Sequence, residues 1–93
     1  MKFDITEQHI RNASPGSTMC PAACAVREQF PDKDVSVCHH SILIGENLYL
    51  TPPHLKDFIY KYDTYCILSM NTPENIVQHV HPIAFELDTE NPL

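Results

Sequence analysis

Prolines at positions 15, 21, 31, 52, 53, 73, 82 and 92 punctuate this chain and limit what each segment can become. Proline has no backbone N–H and a fixed φ, so it opens or ends helices and is kept out of sheet interiors. Only Gly16 and Gly45 accompany the prolines, and no repeat, low-complexity tract or Gly/Ser linker interrupts the sequence. The chain therefore reads as folded throughout.

Between these marks the hydrophobic periods alternate. Residues 2–6 set Phe3 and Ile5 against polar neighbours, as in a short strand, and Thr6 with Glu7 opens a helical turn through Ile10. After the turn Ser14-Pro15-Gly16-Ser17, Pro21 stands in the first turn of a helix over 20–30, where its missing N–H is harmless. Ala22, Ala23, Val26 and Phe30 share its apolar arc, Pro31 ends it, and Cys20, Cys24 and Arg27 fall on a flank expected to be partly exposed. Residues 34–38 turn Val35 and Val37 inward, and 41–45 do the same with Ile42 and Ile44. The intervening change of parity predicts a bulge or bend at His39 and His40. Gly45, Glu46 and Asn47 read as a hairpin loop that leads to Leu48 and Leu50 on the next strand.

Behind Pro52-Pro53, the residues Leu55, Phe58, Ile59 and Tyr62 recur at i, i+3, i+4 and i+7, the stripe of a helix over 52–64. Residues 65–70 read as an extended apolar segment. Thr72-Pro73-Glu74 starts a helix carrying Ile76, Val77 and Val80, and Pro82 stops it. Residues 83–87 make the last strand, and 88–93 an acidic, frayed tail.

These elements predict one α+β domain over 1–93: a small, mainly antiparallel sheet from strands near 2–6, 34–38, 41–45, 47–51 and 83–87, covered by helices near 20–30 and 52–64. Its expected core is Phe3, Ile5, Val26, Phe30, Val35, Val37, Ile42, Ile44, Leu48, Leu50, Leu55, Phe58, Ile59 and Phe85. A chain of 93 residues with 43% apolar content has room for a single core.

Charge narrows the function. The formal charge is −6, and no Lys or Arg follows Lys61, so Asp63, Glu74, Glu86, Asp88 and Glu90 dominate the field. Such a balance opposes a phosphate backbone and excludes an ordinary basic nucleic-acid module. The apolar run Cys66-Ile67-Leu68 is far below the roughly 20 residues of a membrane helix. Four cysteines, without a cationic start or long apolar leader, fit free thiols in a reducing cytoplasm better than a disulfide scaffold.

Several motifs suggest chemistry. Cys20 and Cys24 at i, i+4 could meet one metal ion, with Cys38 and His40 completing a set, but the spacing matches no common zinc module and no metal is expected. Cys20 at a helix N-terminus, paired with His79 or His81, outlines a nucleophile with its base, yet no cysteine-enzyme signature surrounds it. Phe58 and Tyr62 belong to the core stripe, whereas Tyr60 points to the polar face and suits an interface. Asp32/Asp34 and Glu86/Asp88 read as exposed carboxylates rather than catalytic dyads.

The strings Ile5-Thr6-Glu7-Gln8-His9-Ile10, Ser17-x-x-Cys20-Pro21-x-Ala23-x-Ala25, Val35-x-Val37, Pro52-Pro53, Phe58-Ile59, Tyr62-Asp63 and Phe85-Glu86-Leu87 together resemble small phage- and prophage-encoded proteins of mostly unassigned function. The likeness touches most of the chain and implies a shared fold more than a shared activity. It departs over 63–82, where Cys66, Met70, His79 and His81 lie in a longer insertion, a natural place for a new partner surface. Acidic single-domain phage proteins of this size also resemble anti-CRISPR proteins, here against a type I-F surveillance complex. That resemblance implies a non-enzymatic inhibitor acting in the host bacterial cytoplasm. It would bind the cationic DNA channel of the effector protein–RNA complex stoichiometrically and block target DNA, with no cofactor, no duplex-DNA binding of its own and no membrane. Asp32, Asp34, Tyr60, Glu86 and Asp88 are the expected contact residues. The alternative expectation is a small zinc-stabilised interaction module of a phage.

Overall fold

The computed structural model describes residues 1–67 and 72–93. Strand β1 (Lys2–Ile5) buries Phe3 and Ile5 and leads through the N-cap Thr6 into α1 (Glu7–Asn12). The cap is reciprocal: Thr6 Oγ1 accepts from His9 N, and Thr6 N donates to His9 Nδ1 at 2.9 Å. An accepting Nδ1 leaves the ring proton on Nε2, which lies 2.6 Å from Glu28 Oε1 on the next helix. Helix α2 (Pro21–Gln29) is capped by Cys20, whose Sγ accepts from Ala23 N at 3.4 Å, and Pro21 occupies the first turn as its fixed φ predicts.

Strands β2 (Val35–Val37), β3 (Ser41–Ile44) and β4 (Asn47–Leu50) form an antiparallel meander in the order β2-β3-β4. The chain reverses at His39 and His40, where Cys38 N donates to Ser41 O, so the predicted irregularity is a hairpin turn that keeps Val35, Val37, Ile42 and Ile44 on one buried face. The next loop is shorter than expected. Ile44 pairs directly with Asn47, so only Gly45 and Glu46 connect the strands, and Gly45 alone has positive φ, at 62°, as a primed hairpin turn with glycine first requires. One residue fewer in the loop reverses the faces of β4. Tyr49 packs inward opposite Ile42, whereas Leu48 and Leu50, both expected in the core, are exposed, Leu50 by 68%.

Helix α3 (Pro53–Ile67) buries Leu55, Phe58, Ile59 and Tyr62 as the stripe predicts. It runs one turn past the expected end, because Tyr65 and Cys66 continue the i+3/i+4 spacing and pack half-buried against the core. Residues 65–67 are thus helical rather than extended; the remainder of that expected segment, 68–70, lies outside the described residues. Thr72 caps α4 (Pro73–His79), Ile76 is buried, and His79 stacks on Tyr65 with ring centroids 4.8 Å apart.

Strand β5 (Ile83–Glu86) pairs antiparallel with β1, not with the meander, and Phe3 stacks on Phe85 at 5.2 Å. The fold is mixed α+β with helices over antiparallel strands, but the single expected sheet is two. The edges explain why they stay apart. Gln29 Nε2 donates to Lys2 O on β1, His54 Nε2 lies 3.0 Å from Ala84 O on β5, Val37 N of β2 donates to Ser17 O, and Leu93 N donates to Leu48 O of β4. Side chains and loops occupy positions that a neighbouring strand would need. Helix α2 packs on both β1 and β2 and joins the two sheets into one core, with Phe30 half-buried at its end. Among the described residues no helix is long and apolar enough to cross a membrane.

Candidate functional site

The acidic side chains divide into two groups. Asp4 pairs with Lys2, and Glu7 and Glu74 share Arg11, all within 4 Å, while Glu28 accepts a hydrogen bond from the neutral His9 ring. Asp32, Asp34, Glu86 and Asp88 are exposed and form no ion pair among the described residues, a state they share with Glu46, Asp57 and Glu90.

Local structure presents each of them. Asp32 and Asp34 lie in the turn before β2, and Asp34 O accepts from Gly45 N at 2.8 Å, which sets this turn beside the β3–β4 loop and its exposed Glu46. Glu86 ends β5 opposite Lys2, and Asp88 follows in a turn that its own carboxylate holds, accepting from Asn91 Nδ2 at 2.8 Å and from Glu90 N. The tail is docked rather than frayed: Tyr49 Oη donates to Thr89 O and Leu93 N to Leu48 O, so it follows β4. Tyr60 is 69% exposed on α3 as predicted. The depression it lines with Asp57, Lys61, Thr64 and Tyr65 contains none of the four carboxylates.

Thiols and imidazoles gather elsewhere, and only partly as predicted. Cys20, Cys38, His39 and Asp63 line one cavity of about 110 Å³, closed on other sides by Gly16, Ser17, Val37 and Ile59. The turn at 38–41 brings in His39 and leaves His40 outside. His39 Nε2 is enclosed and bonds to nothing among the described residues. The change of parity across 38–41 was the sequence signal for this turn, whereas nothing in the spacing pointed to Asp63. Cys24 takes another role: its thiol donates to Met19 O, and Arg27 reaches both Cys24 Sγ and Thr18 O, the latter at 2.7 Å. That flank staples the loop before α2, and its Cys20 is buried, 4% exposed, rather than partly exposed. Among the described residues no three His, Cys, Asp or Glu side chains converge as metal ligands, and all four cysteines are unpaired.

Burial decides the thiol chemistry. The N–H groups of Ala23 and Ala22 favour a Cys20 thiolate, as its place at a helix start suggests, but desolvation outweighs them and raises its pKa. Cys38 is shifted the other way, because the backbone of His40 and Ser41 and the Ser41 hydroxyl favour its thiolate at the surface, where its thiol form donates to Ser41 O at 3.3 Å. Asp63 is raised by burial, with His39 opposing. Cys38, exposed and with its thiolate favoured, is therefore the thiol expected to react first, and it stands at the rim of a cavity well below the roughly 300 Å³ of common small-molecule sites. Iodoacetamide near neutral pH should alkylate Cys38 first and Cys20 last, with rates at least about a hundredfold apart, and denaturant should bring them together. Peptide mass spectrometry over time checks this. Faster labelling of Cys20 would mean that the helix start outweighs burial.

Comparison with protein-family models, curated proteins and solved structures finds no match to this chain.

Proposed function

We propose that this chain is a non-enzymatic phage inhibitor that binds a CRISPR effector complex stoichiometrically and blocks its access to target DNA. The observation that carries the proposal is the set of exposed carboxylates left without internal counter-charges, among them the pairs Asp32/Asp34 and Glu86/Asp88, while Asp4, Glu7 and Glu74 are met by Lys2 and Arg11. The two pairs sit on built elements, one braced by the β3–β4 loop and the other by β5 and the Asp88 turn. Fixed carboxylates lose less entropy on meeting Lys and Arg than mobile ones, and their field speeds association with a cationic channel. The resemblance to anti-CRISPR proteins supplies the target, and the small Cys38-rimmed cavity gives little room for turnover of a substrate.

Reversing Glu86 and Asp88 to Lys in one variant, and Asp32 and Asp34 in another, should weaken effector binding by at least about tenfold in one of them and flatten its salt dependence. Binding to purified type I-F effector at two ionic strengths measures this, with Cys38→Ser as the control expected to match the parent. Unchanged binding in both acidic variants, or loss in Cys38→Ser alone, overturns the proposal.

A further inference from the structure

Strand β5 presents an edge that nothing in the fold pairs as a strand. Met1 and Leu87 exchange backbone hydrogen bonds of 2.7 and 3.0 Å, and bonded pairs alternate along an antiparallel ladder. Phe3/Phe85 and Ile5/Ile83 are then the bonded pairs, and Ala84 and Glu86 direct N–H and C=O away from β1. The imidazole of His54 on the Ala84 carbonyl agrees with that direction. No partner among the described residues meets the Ala84 N–H, the Glu86 N–H or the Glu86 carbonyl.

A groove runs beside this edge. One depression of about 390 Å³ follows Ala84, Phe85 and Glu86 to His54, with Lys2 of β1 also on its wall, opposite Glu86. His54 also borders a second, of about 330 Å³, floored by Phe58, Val80 and Ile83 and rimmed by Asp57 and Lys61. The two faces of a strand added here would differ. On the solvent side it would lie against Glu86, exposed and unpaired, with Asp88 beyond; on the other it would cover the apolar floor between α3 and β5.

We propose that this edge receives an extended segment of a partner protein as an added β strand, and that the segment alternates basic with apolar residues. Backbone bonds to the N–H groups of Ala84 and Glu86 and to the Glu86 carbonyl would set its register, with the Ala84 carbonyl left to His54; Lys or Arg would meet Glu86 and Asp88, and the alternate side chains would enter the groove. A second copy of this chain is the poorer occupant, since its own β5 brings another Glu86 and Asp88 and a formal charge of −6. Pro82 and the four-residue length of β5 limit the pairing to a short segment. The inference rests on the chain being a binding protein, not on which effector it binds.

The probe is a fluorescein-labelled Lys-Val-Lys-Val-Lys-Val peptide, compared with its Glu-Val counterpart and with two forms N-methylated on alternate sets of backbone nitrogens. Binding should be at least about tenfold tighter for the Lys peptide, and one N-methylated form, the one whose nitrogens face β5, should bind at least about tenfold more weakly than the other. Amide exchange of Ala84 and Glu86 should slow in the complex. Ala84→Pro removes an outward N–H that the β1 ladder does not use and should abolish binding with the circular dichroism unchanged; if that variant fails to fold, the N-methylated peptides decide. Absence of binding, equal binding of both N-methylated forms, protection at other amides, or protection of Ala84 and Glu86 by self-association without peptide would overturn the proposal. The two readings separate cleanly. Effector binding lost on acid reversal, together with peptide binding that is absent or equal for both N-methylated forms, sinks strand addition alone, whereas N-methyl-sensitive peptide binding by a protein that ignores the effector sinks the effector reading alone.

Discussion

Phe58→Ala should lower the unfolding free energy by about 3–5 kcal/mol, while Tyr60→Ala, two positions along the same helix, should change it by no more than about 0.5 kcal/mol. Phe58 is only 6% exposed and packs with Leu55, Ile59 and Tyr62 on the buried side of α3, so truncation removes apolar contacts and leaves a space that the neighbours fill only partly. Tyr60 points outward and adds little to the core. Against the 5–15 kcal/mol typical of small domains, the first substitution leaves a marginal fold and the second a normal one. Urea titrations with equal slopes measure both. The opposite ranking would mean that the buried face of α3 is rotated from the one described.

Legibility in the sequence followed how locally each feature is determined. The buried side of α3 is set by four apolar residues within two turns, so its phase could be read, while its extra turn depended on Tyr65 and Cys66 packing half-buried against the rest of the fold. The caps at Thr6 and Thr72 are local as well. By contrast, the faces of β4 depend on whether Asn47 belongs to the loop or to the strand, and Leu-Tyr-Leu satisfies either choice because all three side chains are apolar. Long-range partners were less visible still. Nothing in the residues of β1 says that its mate is β5, some eighty positions away, or that His54 and Gln29 would take positions on the outer edges. Within the candidate site, exposure of Asp32, Asp34, Tyr60, Glu86 and Asp88 followed from charge and helical phase. The outcome for Cys20 did not: a helix start and a buried position pull its ionisation in opposite directions, and only the packing reveals which is larger.

Alkaline pH should unfold this protein cooperatively, and Tyr62 should be the main cause. Tyr62 is 1% exposed, and burial, the hydrogen bond between its hydroxyl and Cys66, and the nearby thiols of Cys20 and Cys24 all hold its proton well above the ordinary value of 10.0. Cys20 is shifted upward from 9.0 chiefly by burial, and Cys66 follows for the same reason, although its bond with Tyr62 pulls the other way. In the unfolded chain these groups release their protons at ordinary values. Above about pH 9 the unfolded state therefore binds fewer protons than the native state, and stability falls as pH rises, by about 1.4 kcal/mol per pH unit for each proton that the native state alone retains. Their contribution is fully present below pH 9. Cys38 has the opposite sign, its lowered pKa adding stability as pH rises towards 9, but it sits at the surface and acts before the others begin. Between about pH 10 and 12 Tyr62 alone should remove on the order of 2 kcal/mol, a large share of a small domain's stability. Tyr62→Phe keeps the buried ring and removes the titrating hydroxyl. It should cost about 1 kcal/mol near neutral pH, through the lost bond to Cys66, and should make the alkaline decline shallower by one proton. Denaturant titrations at several pH values, read with tyrosinate absorbance, follow both effects: one tyrosine of the parent should ionise only as the fold is lost, and that step should be missing in the variant. A decline of equal steepness in the two proteins would remove Tyr62 as its cause and place the loss on the thiols.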